Sequence, residues 1–465
     1  MDELTSDKPI FIITNDPLRG IGLETVRDNV YLICVDHTPV VDWLVKQNRN
    51  VFCIEKELGQ VGSVVRNSRI VLDRPEVQSY ILKHSKDVLG IVFFKPLAAL
   101  DEILKKTVLV TKRRVVSLNA DLRVSNQLEN KLDFYQLCVE NGLPTPKSTQ
   151  AMISQLDYQQ LVSLLGFRFV VQFERGWFGN HTYFINSEAD FDSIIKTYSD
   201  REVKVAEYIE GDVLTVNGVV GRNDIFQTKP FLQINESQDD PSSTSKIKLA
   251  RLAGTTVGNQ WFGTARDDNN LRVHNPEILS LTNTIGKIAQ KMGYLGYFGL
   301  DYLVSADGRV YLQEMNARFT ASVQTITQLE REVVGASLLD AHFNAFSVEM
   351  PDAVVRKISS DDLYVDLQGV RVVARNTETQ SVVVDNLPQN GVYRFEGDQI
   401  NFIREDFNLA TLGTDEMILL SVASGRVVNP DQEILQLQTR YGKKDKIIQT
   451  IQSFKSQITT TAGDN

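Results

Sequence analysis

At roughly 150 residues per domain, a chain of 465 residues is expected to hold about three domains. Its 42% hydrophobic and 23% charged residues are those of a globular protein, not a disordered or fibrous one. With 49 basic and 59 acidic residues the formal charge is −10. That argues against a general nucleic-acid binder, which needs a basic surface to replace phosphate counterions; a local basic site for a small anion such as a nucleotide stays open.

The first 120 residues alternate apolar runs with amphipathic stretches. Pro9–Thr14, Val30–Val35, Asn50–Ile54, Val88–Phe94 and Val115–Leu118 read as buried parallel strands, with helical spacing over Thr38–Gln47 and Glu76–Lys86. An open α/β layer is expected. The turn after the first strand, NDPLRGIG, lacks the G-x-G-x-x-G fingerprint, so no NAD or FAD site is assigned. Asn126–Asn141 reads as one helix, stopped by Gly142, Pro144 and Pro146. Gly166–Val171 opens a strand leading into RGWFGNHT, a helix covers Ala189–Tyr198, and Val203–Val220 is β-rich. Ser237–Gly258 is a polar loop in which Lys246, Lys248 and Arg251 could meet an anionic substrate, or simply lie in solvent. A helix over Asn275–Met292, a hairpin and a helix over Val323–Ala345 follow. After Pro351, short β-type runs between Leu363 and Gln438 (YVDL, VRVVAR, SVVVD, VYRF, INFI, MILLSV, ILQLQ) precede a helix over Lys446–Ile458. The final TTTAGDN is expected to fray.

Cys34, Cys53 and Cys138 form no CxxC pair and sit in apolar settings, which reads as three small buried hydrophobes with no disulfide or zinc framework. MDELTSDKPI is not a secretory signal, and no apolar run approaches the ~18 residues that span a bilayer. A soluble protein of the cytoplasm, without membrane or nucleic-acid partners, is the expectation.

The most informative stretch is Gly293–Thr320, with strand-like runs Leu300–Val304 and Arg309–Glu314. With two or four loop residues between them, Val304 faces Arg309 and Asp301 faces Leu312. Asp301 and Glu314 are then diagonal neighbours on one face. Asn316 and Arg318 continue the parity. Two carboxylates and an amide oxygen are the hard ligands that Mg²⁺ takes, phosphate oxygens completing its shell. A solvent-facing polar hairpin is the plainer alternative, and a three-residue loop or a bulge would move Asp301 to the other face. In the loop Arg175–Thr182, Gly176 and Gly179 would let backbone N–H groups approach phosphates, with a plain hairpin bearing an aromatic tip, Trp177 and Phe178, as the simpler alternative. Ala206–Gly211 (AEYIEG) is a strand end before a turn, and Lys131 lies on a helix.

In this order and spacing, these elements resemble the ATP-grasp superfamily, in its carboxylate–amine (peptide-type) ligase branch with a biotin-carboxylase-like E-x-N-x-R motif. The specific parts are NK-x-x-F…G-x-P-x-P, from Asn130, and D-x12-E-x-N-x-R, from Asp301. The fold implied is α/β, α+β in parts. An ATP-grasp domain over 121–350, its flap-bearing subdomain at about 145–211, follows a Rossmann-like N-terminal α/β domain (1–120) and precedes a β-rich C-terminal cap (351–465).

The resemblance also implies site residues. Lys131 matches the lysine that contacts the nucleotide phosphates. Gly176, Gly179, Asn180, His181 and Thr182 belong to the flap over the triphosphate. The Glu207 carbonyl and Ile209 N–H, flanking Tyr208, match the hinge contacts to adenine. Asp301, Glu314 and Asn316 match ligands of Mg²⁺, two ions in many members, with Mn²⁺ as an alternative. Arg318 matches the arginine that holds the acyl group or phosphate. Three positions depart from the pattern. Gln172 stands where many members place a second nucleotide lysine, so another cation is needed, with Arg175 and Lys229 as candidates. Val213 occupies a ribose-binding position of several members, and Gly299 lacks the arginine of the D-alanine branch. The activity implied is an ATP-dependent ligase joining small-molecule carboxylate and amine substrates through an acyl phosphate. A bicarbonate-using carboxylase and a non-catalytic nucleotide-binding protein are the alternatives. Many members are homodimers; no dimer seam is visible in the sequence.

Overall fold

The computed structural model describes residues 4–5, 7–62, 64, 66–95, 98–175, 182–233, 260–262, 269–347, 360–376, 378–396, 399–430, 432–440 and 444–462. The five expected N-terminal runs form one parallel sheet. Its order is Val51–Cys53, Val30–Cys34, Ile10–Thr14, Val88–Phe93, Arg114–Ser117. The order runs outward from the first strand in both directions, the arrangement of a doubly wound α/β unit. Phe11, Ile13, Ile33 and Leu89 point to one side and Ile10, Ile12, Val30 and Leu32 to the other, in two separate cores. The sheet is therefore buried on both faces, which is why its strands read as continuous apolar runs. Leu100–Thr111 adds a helix beyond those expected.

Where one helix was expected over Asn126–Asn141 there are two, Leu122–Glu129 and Lys131–Glu140. Asn130 breaks them. Its backbone is extended (φ −71°, ψ 118°), and its side-chain oxygen accepts from the N–H groups of Leu132 and Asp133. An N-cap residue inside an apolar pattern thus won over the periodicity. The helix expected over Val323–Ala345 is likewise two, Val323–Val334 and Leu338–Phe346. Gly335, at φ 73°, closes the first, and a capping box of Ser337 and Asp340 starts the second.

A four-stranded antiparallel sheet follows the first pair of helices, in the order Ser148–Met152, Glu202–Glu207, Phe169–Phe173, Thr182–Ile185. One face, carrying Phe169, Val171, Phe173, Val203 and Val205, is packed with Leu161 and Phe191 of its own helices. The chain then passes into an 11-stranded sheet. There Gly211–Val220 pairs with Gly296–Ser305, and Gly296–Ser305 pairs with Val310–Asn316 at the edge.

The C-terminal strands continue this large sheet. Gln260–Phe262 pairs with Phe231–Gln233 on one side and Gly369–Arg375 on the other. Glu433–Thr439, Glu416–Ser421, Gly391–Glu396 and Gln399–Arg404 follow, and Ile225–Gln227, paired with Gly211–Val220 off this path, is the eleventh strand. The YVDL run, Tyr364–Leu367, is not a strand. Thr459–Ala462, expected to fray, pairs instead with Val382–Asp385. Ion pairs join the C-terminal region to segments that flank the N-terminal strands and also cross-link the C-terminal strands themselves. Arg426 meets Asp36 (2.9 Å) and Glu55, and Glu433 receives Arg19 (3.0 Å), Arg375 (3.0 Å) and Arg371 (3.5 Å). All three cysteines are buried and free. Among the described residues, no helix is long and apolar enough to cross a membrane.

Candidate active site

The hairpin Gly296–Ser305/Val310–Asn316 brings the two expected carboxylates face to face, by a different route from the one expected. Val304 pairs with Val310 rather than Arg309, and Tyr302 with Leu312. In that register Asp301 would oppose Gln313 and Glu314 would point away. The register shifts between Asp301 and Tyr302, so Asp301 lies directly opposite Glu314, and Gly299 opposite Asn316. The odd turn and the bulge each reverse the parity, and together they restore it. Re-aiming a side chain is a common use of a bulge beside a site. Leu300, Tyr302, Leu312 and Met315 go to the core on the other face.

Asp301 is held from three directions. Thr215, opposite it on the adjacent strand, donates from Oγ1 to Oδ1 at 2.6 Å. Gln233 Nε2 donates to the same oxygen at 2.9 Å and to Thr215 Oγ1 at 2.7 Å. Asn316 Nδ2 reaches Oδ2 at 3.4 Å. Burial first, and then the neighbouring Glu314 charge, push the Asp301 carboxyl up to about 7. Burial also raises Glu314, but the charge and hydrogen bond of Lys131 outweigh it and hold this carboxyl below its ordinary value. Two carboxylates in one desolvated place, one of them paired with a lysine, retain negative charge that a cation would neutralise.

Lys131 is placed by the helix break that the sequence pattern concealed. As the first residue after the Asn130 cap, it donates its N–H to the Glu174 carbonyl at 2.9 Å, at the end of Phe169–Phe173. Its ammonium forms an ion pair with Glu314. Lys131 thereby joins the four-stranded sheet to the hairpin. Arg318 follows the hairpin, its N–H bonded to the Asn316 carbonyl at 2.8 Å and its Nε 3.0 Å from Glu129. Its charge acts on both Glu314 and Lys95. Burial, then Arg318, lower the Lys95 ammonium to about 8.

The Glu207–Ile209 segment connects the two sheets. Glu207 N–H donates to the Lys147 carbonyl at 2.9 Å, and Lys147 N–H returns a bond to the Glu207 side chain at 2.8 Å. Arg168 stacks on the Tyr208 ring at 3.9 Å. Among the described residues the Ile209 N–H donates to no acceptor.

Gln172 and Thr182 face each other on adjacent strands, with Thr182 buried. Gly176, Gly179, Asn180 and His181 lie outside the described residues, as does the polar loop Ser237–Gly258. Of the two cations considered as substitutes for a lysine at 172, Lys229 is paired with Asp366 at 2.9 Å, and Arg175 is exposed. Val213 pairs with Leu303. At Gly299 an added Cβ would stand 2.6 Å from Thr320 Cγ2 and 3.1 Å from Asn217 Oδ1, so no arginine fits there.

Sequence reasoning missed Thr215, Gln233, Glu129 and Lys95, which no local motif marks. It also missed Lys204, 3% exposed and directly opposite Gln172. For Lys204 a signal existed. In VKVAE it is the one charged residue between two valines, on the strand that leads into the Glu207–Ile209 segment.

Residues 128–322 match the model of the ATP-grasp domain family. No curated protein matches the chain by sequence. Similar solved structures include N5-carboxyaminoimidazole synthase from Aspergillus clavatus, in complex with ADP and 5-aminoimidazole ribonucleotide, at 12% identity and a TM-score of 0.55, covering 97% of this chain and 98% of that one. Biotin carboxylase from Campylobacter jejuni aligns at 14% identity and a TM-score of 0.59, over 98% and 92% of the two chains. The biotin carboxylase domain of Hydrogenobacter thermophilus 2-oxoglutarate carboxylase, with MgADP, ADP and bicarbonate, aligns at 11% identity and 0.58, over 98% and 91%. Residues 128–322 therefore match an ATP-grasp domain, and the chain as a whole has the fold of these solved enzymes.

Proposed function

We propose that the protein is an ATP-dependent ligase that activates a carboxylate as its acyl phosphate and joins it to an amine, releasing ADP and phosphate. The observation that carries this reading is the Asp301–Glu314 pair, with Asn316 beside it and Lys131 on Glu314. A carboxylate is a poor electrophile because expulsion of an oxide dianion is prohibitive. Transfer of a phosphoryl group to it creates a phosphate leaving group.

Asp301, Glu314 and Asn316 suit a hard divalent cation. No group of three or more His, Cys, Asp or Glu side chains able to hold a metal occurs among the described residues. A cation here therefore takes its remaining donors from phosphate oxygens and water, as Mg²⁺ commonly does. When bound, Mg²⁺ or Mn²⁺ supplies charge neutralisation on the β- and γ-phosphates.

The chain's own residues do the rest. Thr215 and Gln233 fix Asp301 in place. Lys131, turned from Glu314 to phosphate, gives a charge-assisted hydrogen bond. The Glu207 carbonyl and the Ile209 N–H offer one acceptor and one donor to an adenine edge. Arg318, held by Glu129, orients the acyl group and stabilises the oxyanion as the amine attacks. No side-chain nucleophile is needed; alignment and charge stabilisation are sufficient.

A second reading takes bicarbonate as the acid, with carboxyphosphate as the activated species. It is favoured by the similarity to biotin carboxylases, one of them solved with bicarbonate. A screen of ADP release over carboxylates, bicarbonate and amines, with mass detection of products, separates the readings. ADP release that needs a carboxylate and an amine together supports amide formation. Release with bicarbonate and no amine supports carboxylation. Binding of ATP with no turnover across the panel contradicts both.

A further inference from the structure

The four-stranded sheet has one face packed with its own helices and the other turned to Lys131 and the hairpin. Across that second face runs a row of aligned residues, one per strand: Gln150, Lys204, Gln172 and Thr182. Gln150 is occupied in structure, its Nε2 donating to the Leu132 carbonyl at 2.8 Å. Lys204 is different. It is almost fully buried, and no hydrogen bond or ion pair to its ammonium occurs among the described residues. Its one ring contact is the face of Tyr135, 5.5 Å from Nζ.

A buried ammonium without a carboxylate is costly. The charges that act on it are Lys131, which repels it, and Glu314, which attracts it. The attraction is already committed, because Glu314 is paired with Lys131. Once a divalent cation engages Glu314 and Asp301, its charge adds to those of two lysines that already act on each other. Only a polyanion balances such a set.

Resting on the nucleotide-binding reading above, we propose that Lys204 binds the phosphate chain of the nucleotide, supplying from the neighbouring strand the cation that Gln172 cannot. The two residues are partners in register on one face, so exchanging lysine between them moves the charge sideways by one strand spacing, ~4.8 Å. A lysine side chain spans that distance. Gln172 is left as a neutral hydrogen-bond donor beside it.

The test is calorimetric titration of the full-length protein with ADP and Mg²⁺, and separately with adenosine, which lacks phosphate. Lys204→Met is expected to weaken ADP binding roughly 10–100-fold, the effect of one charge-assisted hydrogen bond, and adenosine binding less than about threefold. The exchange variant, Gln172→Lys with Lys204→Gln, is expected to recover most of the ADP affinity. ADP binding by Lys204→Met at the parental level overturns the proposal. So does an equal loss of ADP and adenosine, which would make Lys204 a purely structural residue. Should Lys204→Met not fold, the exchange variant decides: retained ADP binding supports the proposal, and loss of ADP with adenosine intact overturns it. Absence of ADP binding by the parent overturns the nucleotide reading itself. Parental binding unchanged in the variant removes Lys204 alone.

Discussion

Glu433→Gln isolates the charge that joins the end of the chain to its beginning. Glu433 is buried and takes three guanidinium groups, Arg19 at 3.0 Å, Arg375 at 3.0 Å and Arg371 at 3.5 Å. Burial raises its carboxyl, but the three arginines prevail and hold it down at about 2, against an ordinary 4.5. At about 1.4 kcal/mol per tenfold change in proton affinity, this corresponds to roughly 3 kcal/mol of stability. The figure agrees with the ~3–5 kcal/mol typical of breaking a buried ion pair. Because the folded pKa lies below the unfolded one, the contribution is complete above the unfolded value and is lost as pH falls from there toward 2. Urea denaturation followed by circular dichroism, at several pH values from 7 down to 3, reads it. The parent should exceed Glu433→Gln by roughly 3 kcal/mol at pH 7, and the gap should shrink steadily below pH about 4.5. A gap that stays constant down to pH 3 would refute the electrostatic account and leave only a packing effect.

Two further outcomes are specific to the site. Arg318→Ala should lower product formation by ~10²–10³-fold, the scale of losing an oxyanion donor, while ADP binding stays near the parental level; ADP- and product-release assays run in parallel check this. Gly299→Ala should destabilise the protein by roughly 1–3 kcal/mol, since its methyl would stand 2.6 Å from Thr320 Cγ2; a thermal melt at the parental midpoint would mean that the strand gives way there without cost.

The parts of this protein that are legible from sequence are those in which local chemistry and tertiary burial agree. The five apolar runs of the N-terminal sheet were placed to within a residue or two because both faces of the sheet are covered, so its strands are predominantly apolar. That Asp301 and Glu314 share one face was anticipated, but Asp301 was expected opposite Leu312 with Glu314 on the diagonal, whereas the two carboxylates are direct partners. The expectation assumed an even turn, whereas an odd turn and a bulge at Gln313 cancel, and neither has a signature in residue types. Asn130 and Gly335 divided helices that periodicity joined, because hydrophobic spacing continues across a cap. Thr459–Ala462 looked like a frayed end and is a strand, since its partner, Val382–Asp385, lies far back in the chain. Thr215 and Gln233 were out of reach for the same reason: each matters through a residue on a different strand.

Electron paramagnetic resonance of Mn²⁺ with the protein and ADP addresses the paired acids most directly. The parent should immobilise Mn²⁺ only when ADP is present, and the double variant Asp301→Asn, Glu314→Gln should leave the metal in solution while still binding adenosine. Immobilised Mn²⁺ in the double variant, at parental concentrations of metal and ADP, would contradict the placement of the cation between these two side chains.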